Sequence, residues 1–220
     1  MSDDGIRNKL VLNTQLVMPP KLQLAVRLLS MTQDELFAMI ADWRDKHPGA
    51  IADLEPGDPE PISEQDQAQL EEDGIPIWTF LAAPPLPAAS PRAEVWVFGN
   101  PPQARANPSA GPRLRAVLDD GTTSRSADDV REAEWLARAV RQRAKTMEGL
   151  VAALIRLRPE LATTAQPEKV KSVGVKAVAD AMGMHETTVA RVTPVCRYQT
   201  IHGVVQLVMT KRKISHRALW

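Results

Sequence analysis

The longest coherent pattern of the chain runs from Val130 to Ile155. Val130, Ala133, Leu136, Ala139, Val140, Met147, Leu150, Val151, Leu154 and Ile155 recur at three- and four-residue intervals and predict one long helix with an apolar stripe. Ser126 stands where a cap belongs, Asp128 and Asp129 suit the first turn, and Pro159 ends the helix just past Leu157. Two shorter helices are predicted earlier. In the first, Leu22, Val26 and Leu29 share one face behind Pro19 and Pro20. The second starts at the capping box formed by Thr32 and Glu35, repeats Leu36, Met39, Ile40 and Trp43, and stops at Pro48-Gly49. Val95 and Val97 alternating with Trp96 and Phe98 predict a short strand, followed by a Pro-rich loop to Pro112.

A different pattern covers Val173 to Thr193. Two short helices joined by a tight turn need a small residue where they cross, supplied by Ala179, and a residue tolerant of positive φ, supplied by Gly183. Val178, Met182, Val189 and Val192 are spaced to fill the angle between the helices. Glu186 falls in the first turn of the second helix, where the dipole favours it, and His185 is placed to cap that helix. This is the pattern of a helix-turn-helix. After it come an apolar segment (Val204, Val205, Leu207, Val208, Met209) and a basic tail (Lys211, Arg212, Lys213, His216, Arg217).

Composition narrows the classes. Basic and acidic residues balance at 27 each, so any attraction to nucleic acid must come from a local patch. Residues 52–92 are acidic and then rich in Pro and Ala, which reads as a linker with one helix at Ser63 to Glu72. The single cysteine, Cys196, excludes an internal disulfide framework and fits a reducing compartment. Neither a leader peptide nor a membrane span is expected, which points to the cytoplasm. The four histidines are not spaced with Cys or carboxylates as metal ligands, and no phosphate-binding glycine loop occurs. The chain is therefore expected to be non-enzymatic and to need no cofactor or metal. Arg138, Arg141, Arg143, Lys145, Arg156 and Arg158 are expected to cover the polar side of the long helix, either as a solvated face or against DNA or a partner.

The run Met184-His185-Glu186-Thr187-Thr188-Val189-Ala190-Arg191-Val192-Thr193 resembles the helix-turn-helix of bacterial sigma-54 transcription factors, and so do Ala179, Ala181 and Gly183. The register continues through Gln199, Thr200, Gly203 and Leu207 but departs from the family at Cys196-Arg197 and Ile201-His202. Leu10 to Leu36, with Gln15, Leu16, Leu22, Gln23, Arg27 and Leu29, is similar to that family's activator-responsive first region. Pro112-Arg113-Leu114-Arg115, Ala133-Glu134-Trp135-Leu136 and Gln142-Arg143 look like the block leading into its extra-long helix.

The resemblance implies a transcription initiation factor, itself non-catalytic, that binds core RNA polymerase and promoter DNA and responds to an ATP-driven activator. The exposed candidates for DNA contact on the second helix are Glu186, Thr187, Thr188 and Arg191, and the resemblance places that helix near the downstream promoter element. Lys211 and Arg212 of the tail are candidates for phosphate contact. Activator or polymerase contact is assigned to Gln15, Leu16, Leu22, Gln23, Val26, Arg27, Leu29, Arg113, Arg115 and Trp135. The expected architecture is mainly α. It comprises a first region at 1–48, a linker at 49–92, a core-binding remnant at 93–125, the long helix at 126–159, the helix-turn-helix domain at 168–210 and the tail at 211–220. The family's larger helical core-binding half and its C-terminal reader of the upstream element are not recognisable here. A truncated or divergent member is therefore expected, with a competitor of genuine sigma-54 factors, or a relic without function, as the alternatives.

Overall fold

The computed structural model describes residues 20–53, 93–108, 110–117 and 126–219. The predicted helix at 63–72, and Gln15 and Leu16, lie outside those residues. Helix α1 spans Pro20–Ser30 and α2 spans Gln33–Lys46. Between them the Thr32 backbone N–H donates to Glu35 Oε2 at 2.8 Å, and the Glu35 N–H donates back to Thr32 Oγ1 at 3.3 Å. The bonds donated by Thr32, first from its backbone and then from its hydroxyl, hold the Glu35 carboxyl below the ordinary carboxylate range.

The long helix α3 is Ala127–Leu157, capped by the Ser126 hydroxyl, which accepts from the N–H groups of Asp128 and Asp129. Its 31 residues give a rod of roughly 46 Å. Two cores share this rod. On its N-terminal half, Leu28, Met31, Leu36 and Ile40 pack with Leu136 and Val140, and with Leu114 and Ile51 from a two-stranded antiparallel pair, β1 (Ile51–Asp53) with β4 (Leu114–Ala116). There His47, stacked on Trp43, reaches Asp129 at 2.7 Å and ties the end of α2 to the start of α3. On the C-terminal half, Met147, Leu150, Val151 and Leu154 pack against the helix-turn-helix and a six-stranded sheet.

The expectation of a mainly α chain holds in part: five α-helices dominate the described residues, but a six-stranded sheet stands beside them. Its strands are β2 (Val95–Phe98), β3 (Gln103–Ala106), β5 (Val173–Gly174), β6 (Arg197–Thr200), β7 (Gly203–Thr210) and β8 (Lys213–Leu219), in the order β3-β2-β6-β7-β8-β5. All neighbours are antiparallel except β2 and β6, which run parallel with Val95 opposite Tyr198. Glu94 locks this junction. Its carboxylate accepts from the Arg197 N–H at 2.9 Å and from the Arg197 guanidinium at 3.3 Å. Burial pushes the Glu94 carboxyl upward, against the pull of Arg197.

The stretch expected to be a tail is instead the end of a hairpin. Lys211 and Arg212 form its two-residue loop with φ of 48° and 60°, and residues 213–219 return as β8. Such a loop favours Asn-Gly, and left-handed backbone in a branched or long side chain costs about 1 kcal/mol per residue. Strand β8 escapes a reading by alternation because one of its inward residues is polar. His216 is 4% exposed, packed edge-on to Tyr198 with ring centroids 6.4 Å apart.

Arg143 departs from expectation in the same way. It does not line a solvated face but is 4% exposed, with Nε donating to the Leu28 carbonyl at 3.0 Å and a terminal nitrogen to the Met31 carbonyl at 2.7 Å. Burial pulls its pKa down, opposed by the nearby Glu94 charge. The guanidinium thus clamps the end of α1 onto the long helix.

Candidate nucleic-acid interface

Helix α4 (Val175–Met182) and α5 (Glu186–Val192) form the helix-turn-helix. Ala179 lies at their crossing, 1% exposed, and Val178, Val189 and Val192 are buried in the angle as the spacing requires. Met182 is half-buried against the same core. It rests on α3 at Gly149, where a Cβ would make ordinary contact, 3.5 Å, with the Met182 methyl. Gly183 ends α4 in the left-handed conformation, φ 64°, and its N–H donates to Ala179 and Asp180 carbonyls. The Arg156 guanidinium, at the far end of α3, donates to the Ala181 carbonyl. Arg156 stays exposed, as expected of the basic face, and bridges α3 to the end of α4.

His185 caps α5. Its Nδ1 accepts from the Thr187 N–H at 3.2 Å and lies 2.9 Å from the Thr187 hydroxyl. Nδ1 must carry a lone pair for the backbone bond, so the ring proton sits on Nε2. Thr187 and Arg191, one turn apart, are the exposed side chains of α5, while Glu186 and Thr188 are half-buried. The expected four are on one short helix, but two of them, Thr187 and Arg191, present their full side chains. Thr187 is partly committed to His185, so Arg191 is the freest group for a bidentate grip on guanine or a hold on phosphate. Lys211 and Arg212 are not on α5 but at the hairpin loop. That loop meets the other helix, because the Val175 N–H donates to the Arg212 carbonyl at 3.0 Å.

The described residues assigned to activator or polymerase lie on α1, at β4 and on α3. Leu22 is 49% exposed, Gln23 and Arg27 are exposed, and Val26 is half-buried. Leu29 packs against the core that holds the helix-turn-helix. Sequence reasoning missed Leu28, the α1 residue that is fully buried. Its neighbour Leu29 matched the helical stripe equally well, and only the position of α3 distinguishes them. Arg113 is half-buried, Arg115 is exposed on β4, and Trp135 packs at the margin of the N-terminal core. Helix α1 touches both α3 and α5, the second helix of the motif.

A short helix pair with a left-handed glycine turn, backed by a long helix and followed by a β-hairpin, defines a helix-turn-helix DNA-binding fold. Residues 123–216 match the family described as sigma-54, DNA binding domain. Over that stretch the chain is similar to the DNA-binding domain of sigma-54 factors. Relatives agree with this. The RNA polymerase sigma-54 factor 2 of Bradyrhizobium diazoefficiens is 36% identical over 93 residues, 42% of this chain and 17% of that protein. The RNA polymerase sigma-54 factor of Caulobacter vibrioides is 37% identical over 81 residues, 37% of this chain and 16% of that protein. The corresponding factor of Azorhizobium caulinodans is 33% identical over 81 residues, with the same two shares. The chain thus spans about a sixth of the length of these relatives. No helix among the described residues is long and apolar enough to cross a membrane.

Proposed function

We propose that this chain acts as a sigma-54-type transcription initiation factor in the cytoplasm, a non-catalytic subunit that binds core RNA polymerase and promoter DNA near the downstream element. In this reading α5 enters the major groove, with Arg191 the principal contact and Glu186, Thr187 and Thr188 beside it. Helix α1, through Leu22, Gln23, Val26, Arg27 and Leu29, together with Gln15 and Leu16 ahead of it, is the surface on which an ATP-driven activator acts. Arg113, Arg115 and Trp135 contribute to polymerase contact.

The observation that carries the reading is the arrangement of α1. It is clamped to α3 by Arg143 and at the same time touches α5. A partner that pulls on the first helix therefore acts directly on the element next to the DNA, without a long relay. The test is co-purification with core RNA polymerase at low and at moderate salt, followed by promoter binding and opening with activator and ATP. Retention at moderate salt with activator-dependent opening supports the initiator. Retention without opening supports a competitor that occupies polymerase. Loss of polymerase at both salts refutes the proposal.

A further inference from the structure

We infer that the β7–β8 hairpin is a second DNA-contacting element, a cationic wing whose loop, Lys211-Arg212, and first strand residue, Lys213, grip the phosphate backbone beside the groove that α5 occupies. The inference rests on the reading of α5 as a groove helix and adds a second, sequence-independent contact to it.

Three observations point the same way. First, the loop is chemically wrong for its geometry. Both of its residues have positive φ, where Asn-Gly is the unstrained choice, yet two long cationic side chains occupy them. Strain of this kind persists where the side chains have a use. Second, the loop is held rigidly against the motif. The Val175 N–H donates to the Arg212 carbonyl at 3.0 Å, and Gly174 pairs with Lys213 in the β5–β8 ladder. The hairpin tip is thereby fixed to the N-terminus of α4, the helix that crosses the backbone when a helix-turn-helix docks.

Third, the tip and the segments paired with it carry a cluster of exposed cations, with Glu168 and Asp180 as the nearby acidic side chains. Lys211, Arg212, Lys213, Lys171 and Lys176 are all exposed, and none of them pairs with a carboxylate among the described residues. The first turn of α4 has no acidic residue and no side-chain cap. Cations crowded at the positive end of a helix repel it, and an incoming anion relieves this. In a chain whose 27 basic and 27 acidic residues balance, this cluster is a local source of positive charge at one edge of the helix-turn-helix. Phosphate oxygens are the ligand this edge fits, because cations on long side chains neutralise a charged strand without needing its sequence.

The double variant Lys211→Asn with Arg212→Gly tests the wing without weakening the fold, since it removes both charges and relieves the loop. Affinity of the full 220-residue chain for a short fluorescent duplex is measured by anisotropy between about 50 and 200 mM salt. The slope of log affinity against log salt is expected to fall by about two units in the double variant and by about one in Lys213→Gln or Lys176→Gln, equally for promoter and unrelated duplexes. Arg217→Gln, which removes an exposed cation beyond the tip, is the control and should leave the slope as it is. An unchanged slope in the double variant, with tight binding by the parent chain, overturns the wing and leaves the α5 reading standing. If instead the tip variants lower the slope while Arg191→Ala leaves promoter preference intact, the phosphate grip of the tip stands and the assignment of Arg191 as the base-reading contact fails. A parent chain that binds no duplex at low salt overturns both.

Discussion

Replacing Arg143 by Met should loosen the first two helices while leaving the helix-turn-helix in place. Met keeps most of the aliphatic volume, so the change isolates the polar clamp. The buried carbonyls of Leu28 and Met31 lose a charged donor each. An acceptor stranded in the interior costs about 1–3 kcal/mol. Leu28 keeps a weak partner, the Met31 N–H at 3.4 Å, and Met no longer has to be stripped of the hydration that a guanidinium loses on burial. These two effects reduce the net to about 2–3 kcal/mol, or about 30- to 150-fold in the opening of α1 and α2 at 1.4 kcal/mol per decade. Hydrogen exchange read by mass spectrometry resolves that change by segment. Peptides from 20–46 should exchange faster by that factor, and peptides from 175–192 by far less, because α4 and α5 keep their own core. Arg143→Lys should give about half the effect, since one ammonium cannot span both carbonyls. The reasoning is refuted if exchange in 20–46 is unchanged, or if every segment accelerates equally, which would make Arg143 a general core residue and not a clamp.

Three further outcomes are expected. His216 is held neutral by burial, with its pKa lowered from 6.5 to about 4, so the unfolded chain takes up a proton that the folded chain refuses. Stability should be fully present above pH 6.5 and fall by about 3 kcal/mol as pH drops to 4, and His216→Leu should flatten this dependence in urea titrations. Gly183→Ala meets no atom within 4 Å but must adopt φ 64°, so it should lose about 1 kcal/mol, with Gly183→Asn losing less, measured by thermal unfolding. Thr32→Ala removes one side of the capping box and should lower stability by about 1 kcal/mol, with the loss confined to exchange in 33–46.

The features legible in the sequence are those set by short-range rules. Thr32 and Glu35 can satisfy each other's backbone only at a helix start, Ser126 and Pro159 bracket a helix whatever surrounds it, and Gly183 with His185 writes a turn and a cap into six residues. The helix-turn-helix and the residues of α5 were readable for that reason. The tertiary structure decided the rest. Strand β2 finds its parallel partner β6 about a hundred residues later, and no local rule names that partner. Val204 and Val208 sit on the outer side of β7 beside inward Val205 and Leu207, which blurs the alternation that marks a strand, and a polar His216 does the same in β8. Arginines spaced for a helix surface look alike in sequence. Only the packing of α1 against α3 turned Arg143 inward, because the buried carbonyls of Leu28 and Met31 need donors that solvent no longer supplies.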